Sequence, residues 1–252
     1  MNKFLKFSFS VIVLCFAILV DYRAIIENYR DILAEFGPLQ MEKQEVVTLS
    51  AEVVLAEEIQ LDVPLFNQMD IPRLYNGCEV TSLAMLLGFW GINISKNELA
   101  VQIPRVPLQY GDGKYGNPNM GFVGNMEDGP GLGVYHEPIF KLAQSYVTEP
   151  LKVINLSNQS FSTLFEKVSQ GKPVWVITTT SFSPIQQFQS WSTPQGSVDI
   201  TFKMHSVVIT GYDQEYIYLN DPYGTKNKKV NREAFIASWE QMGSQAIVIE
   251  EK

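Results

Sequence analysis

Residues 75–91 read YNGCEVTSLAMLLGFWG. Asn76 stands where a helix N-cap belongs, and Glu79 follows at capping-box spacing. The apolar run then continues through Trp90 and stops at Gly91. The spacing predicts a helix opened by Asn76, with Cys78 in its first turn. Unpaired backbone N–H groups and the helix dipole favour a thiolate there, and the same N–H groups could hold an oxyanion.

Cys78 is the only cysteine outside the first twenty residues, and Cys15 is the other. An unpaired cysteine reads two ways: a small buried hydrophobe, or a thiol kept free to react. The N-terminus bears on that choice. Lys3 and Lys6 precede a run from Phe7 to Val20 without charge, which matches the apolar core of a signal peptide. That run is shorter than the roughly 20 residues of a comfortable membrane span. No Ala-x-Ala site follows, so an uncleaved anchor stays open, and Leu14 is large for a residue preceding a lipidated cysteine. The expectation is export, with the protein secreted or anchored on the outer face of the cytoplasmic membrane. Residues 1–20 are then signal peptide or anchor, 21–58 a helical extension or linker, and 59–252 the domain.

The chain has 252 residues, of which 46% are hydrophobic, enough for a sizeable core. Its formal charge of −8 gives no electrostatic reason to bind nucleic acid or an anionic membrane surface. Further along, Ser95 and Glu98 cap a short helix. Residues 104–134 are rich in glycine and proline, a long connection of the kind that is often functional. Helices are expected at 135–146, after Ser160 and after Asn231, and strands at 174–177, in two runs between His205 and Asp221, and at 245–250. Helices early and strands late imply an α+β fold with a mostly antiparallel sheet.

Only two histidines exist, His136 and His205. His205 begins the first of two strands joined by a tight turn at residues 212–215, and Asp221 ends the second. Antiparallel pairing can return that carboxylate to His205, fixing the tautomer and leaving one ring nitrogen as a base. The plain alternatives are a hydrogen-bonded structural histidine and a turn-capping Asp before Pro222. Gln68, ten residues before Cys78, could add an amide donor or could be a solvated loop residue. Two histidines, one free cysteine and scattered acids show no metal-ligand spacing, and no cofactor is needed.

Residues 63–91, VPLFNQMDIPRLYNGCEVTSLAMLLGFWG, together with 205–222, HSVVITGYDQEYIYLNDP, resemble the C39-like branch of papain-like cysteine peptidases. This group has many exported members in Gram-positive bacteria. The resemblance runs from about residue 60 to the C-terminus. It implies a papain-like fold with the nucleophile at a helix N-terminus and its base on a facing sheet. It also implies Cys78 as nucleophile, His205 as base, Asp221 as its orienting acid and Gln68 in the oxyanion hole. The stretch between Gln68 and Cys78 is longer than in leader-processing relatives, which are domains of ATP-driven exporters. This chain shows no nucleotide-binding motif, so their leader-peptide substrate is not carried over.

The expected function is an exported thiol hydrolase acting on a peptide, protein or other amide. Two alternatives stand beside it: a cell-wall peptide amidase or thiol acyltransferase using the same residues, and a non-catalytic binding module. Tyr110, Tyr115, Phe122, Tyr135 and Trp191 could line a cleft or pin the glycine-rich segment. His136 is read as a structural or rim histidine and as the fallback base.

Overall fold

Val174–Thr179 (β6) and Met204–Tyr212 (β9) are buried at every residue, which requires a sheet covered on both faces. The structure, a computed structural model, describes residues 57–252. The expectations for residues 1–20, and for the following extension up to residue 56, lie outside the described residues. Among the described residues, no helix is long and apolar enough to cross a membrane.

The two strands pair antiparallel from Val174↔Ile209 to Thr179↔Met204. Beyond β9 come Tyr216–Asp221 (β10) and Thr225–Asn231 (β11). On the other side of β6 lie Ala246–Glu251 (β12) and Leu151–Asn155 (β5). Ile59–Gln60 (β1) pairs with the end of β9. Every pairing in this sheet is antiparallel, so the α+β expectation holds.

Side-chain alternation divides the core into two layers. Trp175, Ile177, Val208 and Ile247 face Val80, Leu83 and Leu87 of Cys78–Phe89 (α1) and Ile139 of His136–Tyr146 (α3). Val174, Val176, Val207 and Val248 face Leu164 and Phe165 of Phe161–Ser169 (α4) and Phe235 and Trp239 of Arg232–Gln241 (α5). The sheet is therefore a middle layer with helices on both sides. Lys96–Gln102 (α2) carries the expected capping box from Ser95 and Glu98, and Asn231 caps α5 through the Ala234 N–H.

Three expectations need correction. The N-cap of α1 is Gly77, without a side-chain cap. Asn76 turns away and donates from Nδ2 to the Asn125 carbonyl. Residues 104–134 are not structureless: Arg105–Val106 (β2), Phe122–Gly124 (β3) and Gly131–Gly133 (β4) form a small sheet, with β2 and β3 parallel. Ser160 precedes α4, but its hydroxyl meets Ser162 and Thr163 and caps no backbone N–H. A polar hairpin, Gln189–Thr193 (β7) with Gly196–Ile200 (β8), completes the strands.

Glu250, near the end of β12, draws in Lys167, Lys172 and Lys152 at 2.6, 3.3 and 3.3 Å. Burial works to raise its carboxyl, but the hydrogen bonds and charges of Lys167, Lys172 and Lys152 outweigh it and hold the group at about 2. A depressed carboxyl contributes stability above its unfolded value near 4.5 and loses it as the pH falls toward about 2. Glu250→Gln should lower the Tm at pH 7 by about 2–4 °C, the equivalent of about 1 kcal/mol at this size. The gap between parent and variant should close between pH 4.5 and 2. Thermal melts across that range check it, and a gap that stays constant counts against the cluster.

Candidate active site

The helix that carries Cys78 starts where it does because of Gly77. A Cβ there would lie 2.4 Å from the Leu74 Cβ, so only glycine lets the chain turn at this point. With no capping side chain, the N–H groups of the first turn remain free to meet a ligand oxygen. The Cys78 thiol is buried, 8% exposed, and donates to Glu79 Oε2 at 3.4 Å. Burial and then the Glu79 charge push it well above the ordinary thiol value, while the Ser206 backbone N–H pulls the other way. The expected low thiol pKa is thus opposed here by desolvation and a neighbouring acid. Among the described residues no hydrogen bond joins Cys78 to an imidazole, although the thiol lies against the residue next to His205.

His205, second in β9, and Asp221, last in β10, meet diagonally, because a register shift between Tyr218 and Leu219 sets Asn220 against Val208 and so turns Asp221 to the face of His205. Nε2 of His205 and Oδ1 of Asp221 are 3.0 Å apart, and each residue is 2% exposed. Burial works to raise the Asp221 carboxyl. Hydrogen bonds and charge from His205, then Lys228 and the Tyr223 N–H, outweigh it and hold the group well below the usual carboxylate range. The ionised carboxylate accepts from Nε2–H, which leaves Nδ1 with its lone pair. Tyr223 stacks on the imidazole with ring centres 5.3 Å apart, and Phe182 meets it edge-on at 5.9 Å.

Lys228 escaped the sequence reading. Its Nζ lies 2.8 Å from Asp221 Oδ2 and 4.5 Å from the centre of the Phe182 ring. β11 brings it there by pairing Lys228 with Leu219. The stretch TKNKKVN lacks the apolar alternation that would have marked a strand.

Gln68 is buried and close by. Its Nε2 donates to the carbonyls of Leu74 at 3.2 Å and Tyr75 at 2.9 Å, and its Oε1 has no partner. In this state the amide anchors the segment that leads into Cys78, and both hydrogens are engaged. His136 lies elsewhere, its Nδ1 paired with Gln245 Oε1 at 3.0 Å. Of the five aromatics, Phe122 is fully buried, Trp191 stacks on Tyr115 at 4.3 Å, and Tyr135 donates to the Asp199 carbonyl. These three contacts pin the glycine-rich segment. Tyr110 is half-buried, and its backbone N–H donates to the Lys114 carbonyl. Among the described residues no three His, Cys, Asp or Glu side chains gather as a metal site.

Comparisons with known proteins identify a family and several similar chains. The model of the Peptidase_C39 like family matches residues 60–247. The chain is 56% identical over 190 residues to the uncharacterized protein YvpB of Bacillus subtilis (strain 168), covering 75% of each chain. A crystal structure from Bacillus anthracis, provisionally described as a C39-like peptidase, is 44% identical with a TM-score of 0.74. It matches over 78% of this chain and 99% of its own. Xylellain, a cysteine protease from Xylella fastidiosa, matches at 14% identity and a TM-score of 0.41, over 79% of this chain and 88% of its own.

Proposed function

This chain belongs to the Peptidase_C39 like family, with a papain-like fold and a cysteine-peptidase type of function, and on that premise we propose that it hydrolyses a peptide or other amide bond through Cys78, His205 and Asp221. The observation that carries the proposal is the buried His205–Asp221 pair at 3.0 Å, taken together with a cysteine in the first turn of a helix that has no side-chain cap. A bond of that kind fixes the tautomer of a base.

In this mechanism the resting thiol is neutral, so its proton leaves as it attacks. Sγ of Cys78 adds to the substrate carbonyl carbon while Nδ1 of His205 takes the thiol proton. The carbonyl π electrons move to oxygen, and the backbone N–H of Cys78 receives that oxyanion. Gln68 joins as a second donor by releasing its longer bond, the one to Leu74. The tetrahedral adduct then collapses: the C–N bond breaks and the leaving nitrogen takes the proton from Nδ1. A thioester remains on Cys78. Water, losing its proton to Nδ1, adds to the thioester carbonyl, and the thiolate departs and recovers the proton. Asp221 stays ionised and holds the imidazolium in each half-reaction.

The uncharged run at residues 7–20 behind Lys3 and Lys6 supports action outside the cytoplasm, on a peptide, a protein or the peptide part of the cell wall. The test is incubation of the reduced chain with a mixed-sequence peptide library and, separately, with purified cell wall. New amino termini from the library would support a peptidase, and amine release from cell wall alone would direct the same chemistry to wall peptides. Folded, reduced protein that releases neither, or whose release is unchanged in Cys78→Ala, would remove the catalytic reading.

A further inference from the structure

Glu79 follows the proposed nucleophile directly and is fully buried, which is rare for a carboxyl without a cationic partner. The mechanism above does not use it, and the structure excludes the capping-box role its spacing suggested. Its two oxygens point to different elements. Oε2 accepts from the Cys78 thiol at 3.4 Å, and Oε1 accepts from the Val134 N–H at 2.9 Å, just beyond β4. Space at the second contact is closed: a Cβ on Gly133, whose φ is +132°, would lie 2.2 Å from Oε1. The backbone of the residue is fixed as well, since the Trp175 indole donates to its carbonyl at 3.0 Å.

We propose that Glu79 is a positioning residue of this site: its carboxyl clamps the Cys78 thiol to the Gly131–Val134 segment, and its negative charge, when present, opposes ionisation of that thiol. The inference rests on Cys78 being the nucleophile and adds a control over when it can act. Burial raises the Glu79 carboxyl to about 7, against the Val134 N–H that stabilises its anion. The titratable groups acting on it are Cys78 on its own helix and, through charge, Tyr223 after β10. β4 and β6 contribute none. On α3, His136 is turned to Gln245 and Glu137 to Lys141. On α2, Lys96 is spent on the carbonyls of Asp70 and Pro72, and Glu98 on its own cap.

Below about pH 7 a neutral Glu79 leaves the thiol free to lose its proton to His205. Above it, the new carboxylate makes an adjacent thiolate costlier, so thiol ionisation is pushed to higher pH. The test measures alkylation of the Cys78 peptide by iodoacetamide against pH, read by mass spectrometry in the full chain so that Cys15 does not interfere. Glu79→Gln keeps an acceptor for Val134 and removes the charge. It should move the alkylation midpoint down by about one pH unit or more, about 10-fold faster reaction at pH 8. A profile superposed on the parent would overturn the inference, provided His205→Ala still alters the parent profile. If His205→Ala also left the profile unchanged, the triad reading itself would fall. Should Glu79→Gln not fold, His205→Ala alone serves. Without the imidazole, the log rate should still bend near pH 7 as Glu79 ionises, and a straight rise through that region would overturn the inference.

Discussion

Hydrolysis should fall by about 10⁴-fold or more in Cys78→Ala and by a similar factor in His205→Ala, with little further loss in the double variant. The reason is that the two groups perform one event. Without the sulfur nothing forms the thioester, and without the imidazole a neutral, desolvated thiol has no acceptor for its proton. The second half matters more here than in a site with a preformed ion pair. Burial and Glu79 hold the Cys78 thiol well above its ordinary value, so little thiolate exists for the variant to fall back on. Both substitutions remove buried groups, and thermal melts must show folded protein before rates are compared. Steady-state rates on any substrate recovered from the library decide it. Losses that simply multiply in the double variant, or residual activity of a tenth in His205→Ala, would show that the pair does not act as a unit.

What made this pair readable was register. His205 and Asp221 are 16 residues apart in a segment whose alternating Val207, Ile209, Ile217 and Leu219 mark two strands. An antiparallel hairpin then returns the second end close to the first, but the register shift between Tyr218 and Leu219 that turns Asp221 to the face of His205 has no local signal. The helix bearing Cys78 was equally legible from its apolar run and from Gly91. Its exact start was not. Whether Asn76 or Gly77 caps the helix depends on the approach of Leu74, a contact made by tertiary folding and absent from any local pattern. Glu79 shows the same limit from the other side. An acid three residues after a polar residue reads as a solvated cap, because burying a carboxyl is costly. Here the Val134 N–H and the Cys78 thiol receive it instead. Lys228 was invisible for a third reason. β11 is an edge strand with few apolar residues, and the tie to Asp221 exists only once β10 has supplied its partner. The strands near residues 105 and 122 were hidden by glycines and prolines, which mark turns when neighbours are unknown.

Asp221→Asn should lower hydrolysis by about 10²–10⁴-fold while leaving the fold intact, and the cause is a count of donors. The Asp221 carboxylate receives three: Nε2–H of His205 and the Tyr223 N–H on Oδ1, and Nζ of Lys228 on Oδ2. An asparagine has one acceptor oxygen and presents N–H groups at the other position. If its oxygen faces His205, its nitrogen faces the Lys228 ammonium, donor against donor. If its oxygen turns to Lys228, its nitrogen faces Nε2 and selects the tautomer protonated at Nδ1, which cannot take the thiol proton. The full charge of Lys228 favours the second arrangement, although it also sets the amide nitrogen against the Tyr223 N–H that shared Oδ1 with His205. The loss should therefore appear in kcat far more than in KM. It should be partly repaired in Asp221→Asn/Lys228→Met, where nothing competes for the asparagine oxygen and the productive tautomer returns. A recovery of about 10-fold or more over the single variant, with no gain from Lys228→Met in the parent background, is the expected pattern. If the double variant is no better than Asp221→Asn, the lost charge and not the tautomer is what the imidazolium needed, and Lys228 serves only to hold β11 against the site.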